Sequence, residues 1–232
     1  MWLKLVSVLK LDPKPDLVAQ TRDALRKAII AGDLPPCAPL AQEDLAAKLG
    51  VSRQPISHAL VVLKQEGLVV DRGRKGQMVA PIDAEKLLEL YQVRGALDRL
   101  AARLAAGRPL QENSRLLDIV DIGTKAIEKR NVNALVKADI SFHSALYEIS
   151  GNKEITITAD NFWPHIARSM RVVLEDQDRW TQIWTEHEAI ADAIATGNID
   201  RAGDLAADHA EKSGEATHHR LLNEQSLSLK QA

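Results

Sequence analysis

The feature that most constrains this chain is a pair of closely spaced helices in its first third. Helical periodicity over residues 42–49 ends at Gly50, and a second helix begins at Ser52, a good N-cap, and runs to Gln65. Glycine permits the tight turn between them, and each helix has an apolar side that must be buried. This order predicts a helix-turn-helix unit.

The segments on either side extend this unit. Helical spacing predicts another helix over residues 17–31, and the Pro-rich stretch 34–39 after it cannot be helical. Two short β-prone runs, 68–70 and 77–79, enclose the basic segment 71–76, whose glycines permit a tight connection. Together these elements predict a winged helix-turn-helix, in which the hairpin is the wing.

Apolar spacing predicts which sides of the two helices are buried. The expected core positions are Leu45, Ala46, Leu49, Val51, Ile56, Leu60 and Leu63. The outward-facing residues at the start of the second helix are Ser52, Arg53, Gln54, Ser57 and His58. The wing adds three cations, Arg72, Arg74 and Lys75. We therefore expect one polar surface that combines the second helix with the wing.

The residue types on this surface suit DNA. Arg53 can pair bidentately with guanine and Gln54 with adenine, while the hydroxyl groups can reach phosphate or base. The basic wing would neutralise phosphates or enter the minor groove. Taken singly, each residue favours the alternative of a solvated polar face that serves another interaction. Their order along the winged plan favours DNA binding.

Residues 81–83 are the predicted joint between two domains, 12–81 and 83–225. After the joint only helical periodicity is found. The predicted helices are 84–106, 112–129, 133–150, 153–175, 181–196 and 199–223, and the tail 226–232 is expected to fray. The predicted fold class is mainly α: a winged helix-turn-helix followed by an all-α antiparallel helical bundle.

Composition and charge agree with a soluble two-domain protein. Residues 1–80 carry 12 basic and 8 acidic side chains, a net charge of +4, whereas the remainder carries 18 and 24, a net charge of −6. No apolar run is long enough to span a bilayer, and Lys4 and Lys10 interrupt the apolar N-terminus in a way unlike a signal peptide. A single cysteine, Cys37, excludes an intrachain disulfide and favours the cytoplasm.

Four polar residues in the second domain lie beside apolar stripes of predicted helices. Asp139 and His143 are spaced i, i+4 on one helix, and His187 and His209 lie on two later helices. One acid and three imidazoles inside a bundle are costly to bury without compensation, and a shared Zn, Ni, Mn or Fe ion would satisfy all four. The alternative is that each histidine is hydrogen-bonded inside the core or partly exposed.

The stretch LAAKLGVSRQPISHALVVLKQEGLV, residues 45–69, resembles the head of the GntR family of bacterial regulators. The resemblance covers roughly residues 18–80 and implies that Arg53 contacts base or phosphate and that Gly76 shapes the wing. There are two departures. Cys37 stands where the family usually has glycine, and Ser57 stands where it usually has arginine. Loss of that arginine predicts a different operator or weaker DNA binding.

A purely helical second domain resembles the FCD domain of the FadR subfamily. That resemblance implies a metal held by Asp139, His143, His187 and His209, whose order and approximate spacing match the FCD pattern. It also implies that Arg94 binds a ligand carboxylate or packs between helices. The alternative is an ordinary surface pair of Arg94 with Asp98 at i, i+4. Arg168 is a further candidate on a helix that often borders the ligand pocket.

The expected function is a homodimeric, ligand-responsive repressor. Each head would bind half of a pseudo-palindromic operator on double-stranded DNA, and a small carboxylate effector would bind in the helical domain. A metal-dependent hydrolase and an interaction module without DNA binding are the alternatives. Against a hydrolase, no nucleophile motif is found, and helical spacing turns Glu186 and Glu188 away from the face of His187.

Overall fold

The computed structural model describes residues 16–108, 114–174 and 177–231 of the 232. The chain divides into two compact units. The N-terminal unit contains the described residues up to Ile29 and then Asp33–Ala80, and the helical unit contains Ile30–Gly32 and the described residues from Pro81 onward.

The N-terminal unit is built from three helices and a small antiparallel sheet. Its elements are α1 (Leu17–Ala31), β1 (Pro39–Leu40), α2 (Gln42–Leu49), α3 (Arg53–Gln65), β2 (Val69–Asp71) and β3 (Gln77–Val79). The strand order is β1-β3-β2, with Val69 opposite Val79 and Pro39 opposite Met78. The wing is therefore a hairpin that gains a third strand from the chain before α2.

The predicted helix-turn-helix and hairpin are confirmed, with local corrections. Ile56, Leu60 and Leu63 of α3 are fully buried. Leu49, predicted to be buried, is 38% exposed because it lies in the last turn of α2, where Gly50 takes the left-handed conformation and the chain turns away. Strand β1 was not predicted, since two residues are too few to show an alternating pattern.

The helical unit consists, over the described residues, of six long helices. They are α4 (Ala84–Ala106), α5 (Ser114–Glu128), α6 (Val132–Ser150), α7 (Lys153–Val173), α8 (Trp180–Ala195) and α9 (Ile199–Gln231). The predicted bounds agree within one or two residues where both ends are described, except in α9. The prediction that this helix ends at residue 223 and that a frayed tail follows is wrong, because α9 continues to Gln231. The chain carries no glycine or proline after Gly214 that would end the helix earlier.

Helices α5 and α8 pack tightly around one tryptophan. The indole of Trp184 donates a hydrogen bond of 2.7 Å to the carbonyl of Val120, and the ring lies directly over Gly123. A Cβ atom at Gly123 would lie 1.7 Å from the indole, so glycine is required for this approach. The contact fixes α8, which carries His187 one turn further along.

The predicted fold class, mainly α with a winged helix-turn-helix before a helical bundle, is confirmed. Within the part of the chain that the structure describes, no helix combines the length and apolarity needed to cross a membrane.

Candidate metal centre and DNA-facing surface

Three helices bring the four predicted metal ligands together. Asp139 and His143 come from α6, His187 from α8 and His209 from α9, and all four are buried. One potential ligand atom from each lies within 4.8 Å of the others. A single divalent cation at the centre of such a group would be within coordinating range of each residue after small adjustments.

The carboxylate of Asp139 shows that the cluster is not satisfied by its own hydrogen bonds. Its Oδ1 atom lies 3.3 Å from Nε2 of His187, whereas the buried Oδ2 atom has no hydrogen-bond partner among the described residues. A buried carboxylate oxygen without a donor costs free energy. A cation would compensate both this oxygen and the close pair of Nε2 atoms of His143 and His187, which are 3.2 Å apart.

Each histidine of the cluster has an oxygen acceptor at Nδ1. The partners are the carbonyl of Ile183 for His187 at 2.9 Å, Glu186 Oε2 for His209 at 2.9 Å, and Asp98 Oδ2 for His143 at 3.4 Å. Carbonyl and carboxylate oxygens only accept, so the proton belongs on Nδ1 and the lone pair on Nε2. This is the arrangement of histidines that ligate metals.

Glu186 takes part in the cluster through a contact that the spacing within its own helix did not predict. Glu186 does not share a face with His187, but it reaches His209 on α9, 23 residues further along the chain. Burial opposes the charge of Glu186, but the interactions with His209, Gln182 and Lys212 together outweigh burial and lower the pKa of the carboxyl group. The spacing within α8 could not show this contact, because the partner lies on another helix.

Two of the histidines are held in the neutral form that a metal ligand requires. Burial, and then the positive charge of Arg94, lowers the pKa of His143. Burial also lowers the pKa of His187 well below its ordinary value, with added repulsion from His209 and His143. Neutral imidazoles do not have to release a proton before they bind a cation.

Arg94 lies inside the helical unit, so the alternative of a surface pair is wrong. The side chain is 1% exposed, and its Nε atom contacts Asp98 Oδ2 at 3.1 Å. Its Nη2 atom lies 2.5 Å from Nε2 of His143, and its guanidinium stacks within 5.3 Å of the rings of Tyr91 and Trp163. A guanidinium can only donate, so Arg94 engages the very nitrogen that a cation would take.

The sequence pattern indicated Asp98 only as a surface partner of Arg94 and did not predict its central place in this site. Asp98 is fully buried, and it accepts hydrogen bonds from Arg94 and from the hydroxyl of Tyr147, in addition to lying beside His143. Burial opposes its charge, but Arg94 and His143 outweigh burial and lower the pKa of Asp98 to about 2. The carboxylate therefore stays ionised and orients both Arg94 and His143.

A small cavity adjoins the cluster. It has a volume of about 30 Å³, and its lining includes Tyr91, Arg94, Asp139, Arg179, His209 and Thr217. This volume accommodates about one water molecule, so an organic ligand would need neighbouring side chains to move. Arg168 is not among the described residues that line it. Its Nη2 atom instead donates a hydrogen bond of 2.6 Å to the carbonyl of Pro81.

The predicted DNA-facing residues form an accessible surface on the N-terminal unit. Ser52, Arg53, Gln54 and His58 are exposed at the start of α3, and Ser57 is half-buried. On the wing, Arg72, Arg74, Lys75 and Gly76 are all exposed. A groove of about 570 Å³ between the start of α2 and the wing is lined by Glu43, Arg53, Lys75 and Gly76 among others.

Arg53 is engaged by an acid of the preceding helix. Its Nη1 atom lies 2.9 Å from Oε1 of Glu43 on α2, and both side chains are largely exposed. DNA binding through this arginine would require it to leave Glu43, since the carboxylate occupies its hydrogen-bonding edge. Sequence reasoning did not identify Glu43, whose position ten residues before Arg53 carries no periodic signal.

Two backbone positions of the N-terminal unit depend on residue type. Gly76 has φ of 90° and ψ of −141°, a conformation that favours glycine, at the end of the wing turn. Cys37 has φ of 64°, also in the left-handed region. A cysteine there carries a conformational strain that glycine would not.

The fold and the two sites define a class: winged helix-turn-helix regulators with a helical second domain. Residues 17–79 match the family described as bacterial regulatory proteins, gntR family, and residues 89–212 match the FCD domain. The chain belongs to the GntR family of transcriptional regulators, in the FadR-type subfamily that carries an FCD domain.

Individual relatives agree with this assignment. An uncharacterized HTH-type transcriptional regulator from Streptomyces ambofaciens is 30% identical over 182 residues, which cover 75% of this chain and 74% of that protein. The gluconate operon transcriptional repressor of Bacillus subtilis is 25% identical over 74% of this chain and 73% of its own length.

A solved structure shows the same fold. The putative transcriptional regulator GntR from Rhodococcus sp. RHA1 superposes with a TM-score of 0.75 at 26% identity, over 86% of this chain and 96% of that chain.

Proposed function

We propose that this GntR-family regulator is a repressor whose operator affinity is controlled by a small carboxylate bound in a metal-containing helical domain. In this proposal residues 12–81 bind DNA and residues 83–225 bind the metal and the effector. The observation that carries the sensing half is the buried cluster of Asp139, His143, His187 and His209, with a carboxylate oxygen that no described residue satisfies.

The DNA-binding half is supported by the exposed start of α3 and the basic wing. Arg53 and Gln54 present bidentate groups that suit guanine and adenine, while Ser52, Ser57 and His58 add further polar contacts. Arg72, Arg74 and Lys75 would contact the DNA backbone or the minor groove. A homodimer would bind the two halves of a pseudo-palindromic operator.

Repression, rather than activation, is supported by the names of relatives. Besides the gluconate operon repressor, a probable D-xylose utilization operon transcriptional repressor from Paenarthrobacter nicotinovorans is 24% identical over 88% of this chain and 89% of its own length. Both names describe transcriptional repressors of operons.

A divalent cation fits the cluster because of its donor set. Three Nε2 atoms and one carboxylate are the N/O ligands that Zn, Ni, Mn or Fe accept, and four protein ligands leave positions open on the metals that prefer five or six. When bound, the ion would supply a Lewis-acidic site for a carboxylate oxygen. Asp98 and Glu186 would hold His143 and His209 in the ligating tautomer.

The charges inside the helical unit favour an anionic effector. At the cluster Arg94 is positive, Asp98 and Asp139 are negative, and two of the histidines are held neutral, so Arg94, Asp98 and Asp139 together carry a surplus of one negative charge. A divalent cation would reverse this to a surplus of one positive charge. A single carboxylate would then neutralise the site, and burying an uncompensated charge is costly.

Arg94 would connect metal and effector. Because its Nη2 atom engages Nε2 of His143, the guanidinium would have to withdraw when the cation takes that nitrogen. It would then present free donors beside the cavity to a carboxylate, as a bidentate partner. The effector would shift the regulator between two states only through its different affinity for them.

The DNA-binding half is tested by an electrophoretic mobility shift with DNA from the neighbourhood of its own gene. We expect sequence-selective binding that weakens steeply as salt is raised, because phosphate contacts release counterions. The same DNA with a scrambled sequence is the control. Equal binding to both would refute operator recognition.

The metal is tested by elemental analysis of purified protein. We expect near-stoichiometric metal in the wild type and less than about a tenth of it in Asp139→Asn and His187→Ala, because each removes a ligand. His218→Ala is the matched control, since His218 lies outside the cluster and pairs with Glu85. Equal metal in His187→Ala and wild type would exclude the proposed site.

The effector class is tested by a thermal-shift screen of small carboxylic acids. An effector should raise the unfolding temperature of the metal-loaded protein and lose this effect with a chelator or in Arg94→Met. The corresponding amide of each acid is the control for the carboxylate. A stabilising ligand that acts equally as acid and amide, with or without chelator, would contradict the proposed mode of binding.

A further inference from the structure

Helix α4 has a second apolar face that the helical unit does not cover. Its inward face carries Tyr91, Arg94 and Asp98, whereas Val93, Leu100 and Leu104 are 51%, 43% and 39% exposed. Together with exposed Ala96 and half-buried Leu97 they form one stripe at spacings of three, four and seven residues. We call these five residues the α4 stripe.

We propose that the α4 stripe is a self-association surface that binds the same stripe of a second copy of this chain in antiparallel orientation. This inference rests on the dimeric state included in the proposed function and adds the surface and its register. A two-fold axis is isologous, so the same residues must be complementary to themselves.

The positions in the stripe are complementary when the two-fold axis passes between Ala96 and Leu97. At this register Val93 lies level with Leu100 of the second copy, and Ala96 and Leu97 meet their own counterparts at the axis. Small Ala96 at the crossing point permits close approach of the two helices. The two larger side chains, Val93 and Leu100, then pack into the spaces on either side.

Charge complementarity supports the same register. At this register Glu89 lies level with Leu104 of the second copy. Within one helix, Glu89 and Arg103 lie on the same side of the stripe when the helix is viewed along its axis. Two-fold symmetry brings like flanks together, so each Glu89 meets Arg103 of the other copy. Arg103 already contacts Asp200 of its own chain, and Glu89 would extend this ion pair across the interface twice. A parallel pair would instead bring Glu89 against Glu89.

The surface is tested by the mass of the full-length protein in solution, measured by light scattering after size exclusion. We expect a dimer for wild type and a monomer for Val93→Glu and Leu100→Glu, with the dissociation constant raised by roughly two orders of magnitude or more. Ile122→Glu on α5 and Ile157→Glu on α7 are matched controls, because these isoleucines are 55% and 56% exposed and outside the stripe. A dimeric Leu100→Glu, or an equally monomeric control, would overturn the proposal.

The register is tested by cysteine cross-linking in a Cys37→Ser background, which removes the only native thiol. Ala96→Cys should form a covalent dimer under mild oxidation, because the two positions meet at the axis. Val93→Cys should not, since seven residues of axial offset separate the two thiols by about 10 Å, beyond the reach of a disulfide. Cross-linking of Val93→Cys but not Ala96→Cys would overturn the antiparallel register.

These results are separable from the proposed function. Metal content and effector-dependent stabilisation should be unchanged in Leu100→Glu, because its side chain points away from the cluster. If those properties fail in wild type while the stripe variants behave as expected, the sensing proposal is wrong and the self-association surface stands.

Discussion

The two candidate sites of this protein are built in opposite ways. On the DNA-facing surface, residues such as Arg53 and Lys75 are exposed, and Arg53 pairs with an exposed acid, Glu43. In the candidate metal cluster every potential ligand is buried, and each histidine has an oxygen acceptor at Nδ1. A surface that binds DNA needs long, exposed side chains that can extend to phosphates and bases, whereas a metal site needs ligand atoms held at fixed distances from the ion.

The difference predicts unequal costs for removing one partner of an ion pair. Asp98→Asn should destabilise folding by about 3–5 kcal/mol, because it leaves the buried charge of Arg94 unpaired. Asp204→Asn, which removes the exposed partner of Arg99, should cost less than about 1 kcal/mol. Chemical denaturation of both variants measures the two costs, and similar values would contradict the comparison.

Acid should act on the same buried pair. The pKa of Asp98 is about 2 in the folded protein and about 3.9 in an unfolded chain, so Asp98 contributes stability above pH 4. That contribution should disappear as the pH falls from about 4 to 2. The wild type should therefore lose stability over this range more steeply than Asp98→Asn, in denaturation measured at a series of pH values.

Close packing in the helical unit should make it sensitive to a single added carbon atom. Gly123→Ala should lower stability by about 1–3 kcal/mol, because the added Cβ overlaps the indole of Trp184. Gly107→Ala is the matched control, since no atom lies closer than 3.6 Å to a Cβ built there. The unfolding temperatures of the two variants decide the matter, and the metal content of Gly123→Ala shows whether the displaced α8 disturbs His187.

On the exposed surface, substitutions should change DNA affinity and leave stability unchanged. Arg53→Ala should weaken operator binding by about 1–3 kcal/mol, or roughly fivefold to 150-fold. Arg53→Lys keeps the charge but loses the bidentate geometry, so it should restore binding to non-specific DNA better than to the operator. If Arg53→Lys restores both equally, this arginine contacts phosphate and not a base.

The smallest effect is expected at Glu43. Glu43→Gln removes the carboxylate that holds Arg53, and it should strengthen DNA binding by at most about 1 kcal/mol, because exposed ion pairs are weak. Gel shifts at several salt concentrations measure this change, with Asp44→Asn as a control of equal charge on the same helix. Weaker binding in Glu43→Gln would mean that Glu43 positions Arg53 for DNA and does not compete with it.

Much of the fold could be predicted because its signals are local. Helix ends at Gly50, Gly151 and Gly197 lie where the chain takes positive φ, and the apolar spacing of α3 identified its buried side. The same local logic placed Asp139 and His143 on one helix face. It did not predict β1, because two residues are too few to show an alternating pattern. It also predicted Leu49 to be buried, because the apolar spacing does not show that the helix ends there.

The sequence by itself determined the order of the elements, the residues presented by α3 and the wing, and the four residues that the bundle brings together. Only the tertiary structure decided how those four are held. Arg94 reaches His143 across 49 residues of chain and Glu186 reaches His209 across 23, and both contacts depend on how neighbouring helices are rotated and packed. Helical periodicity determines which face of a helix is apolar, but it does not identify which residues of neighbouring helices pack against that face.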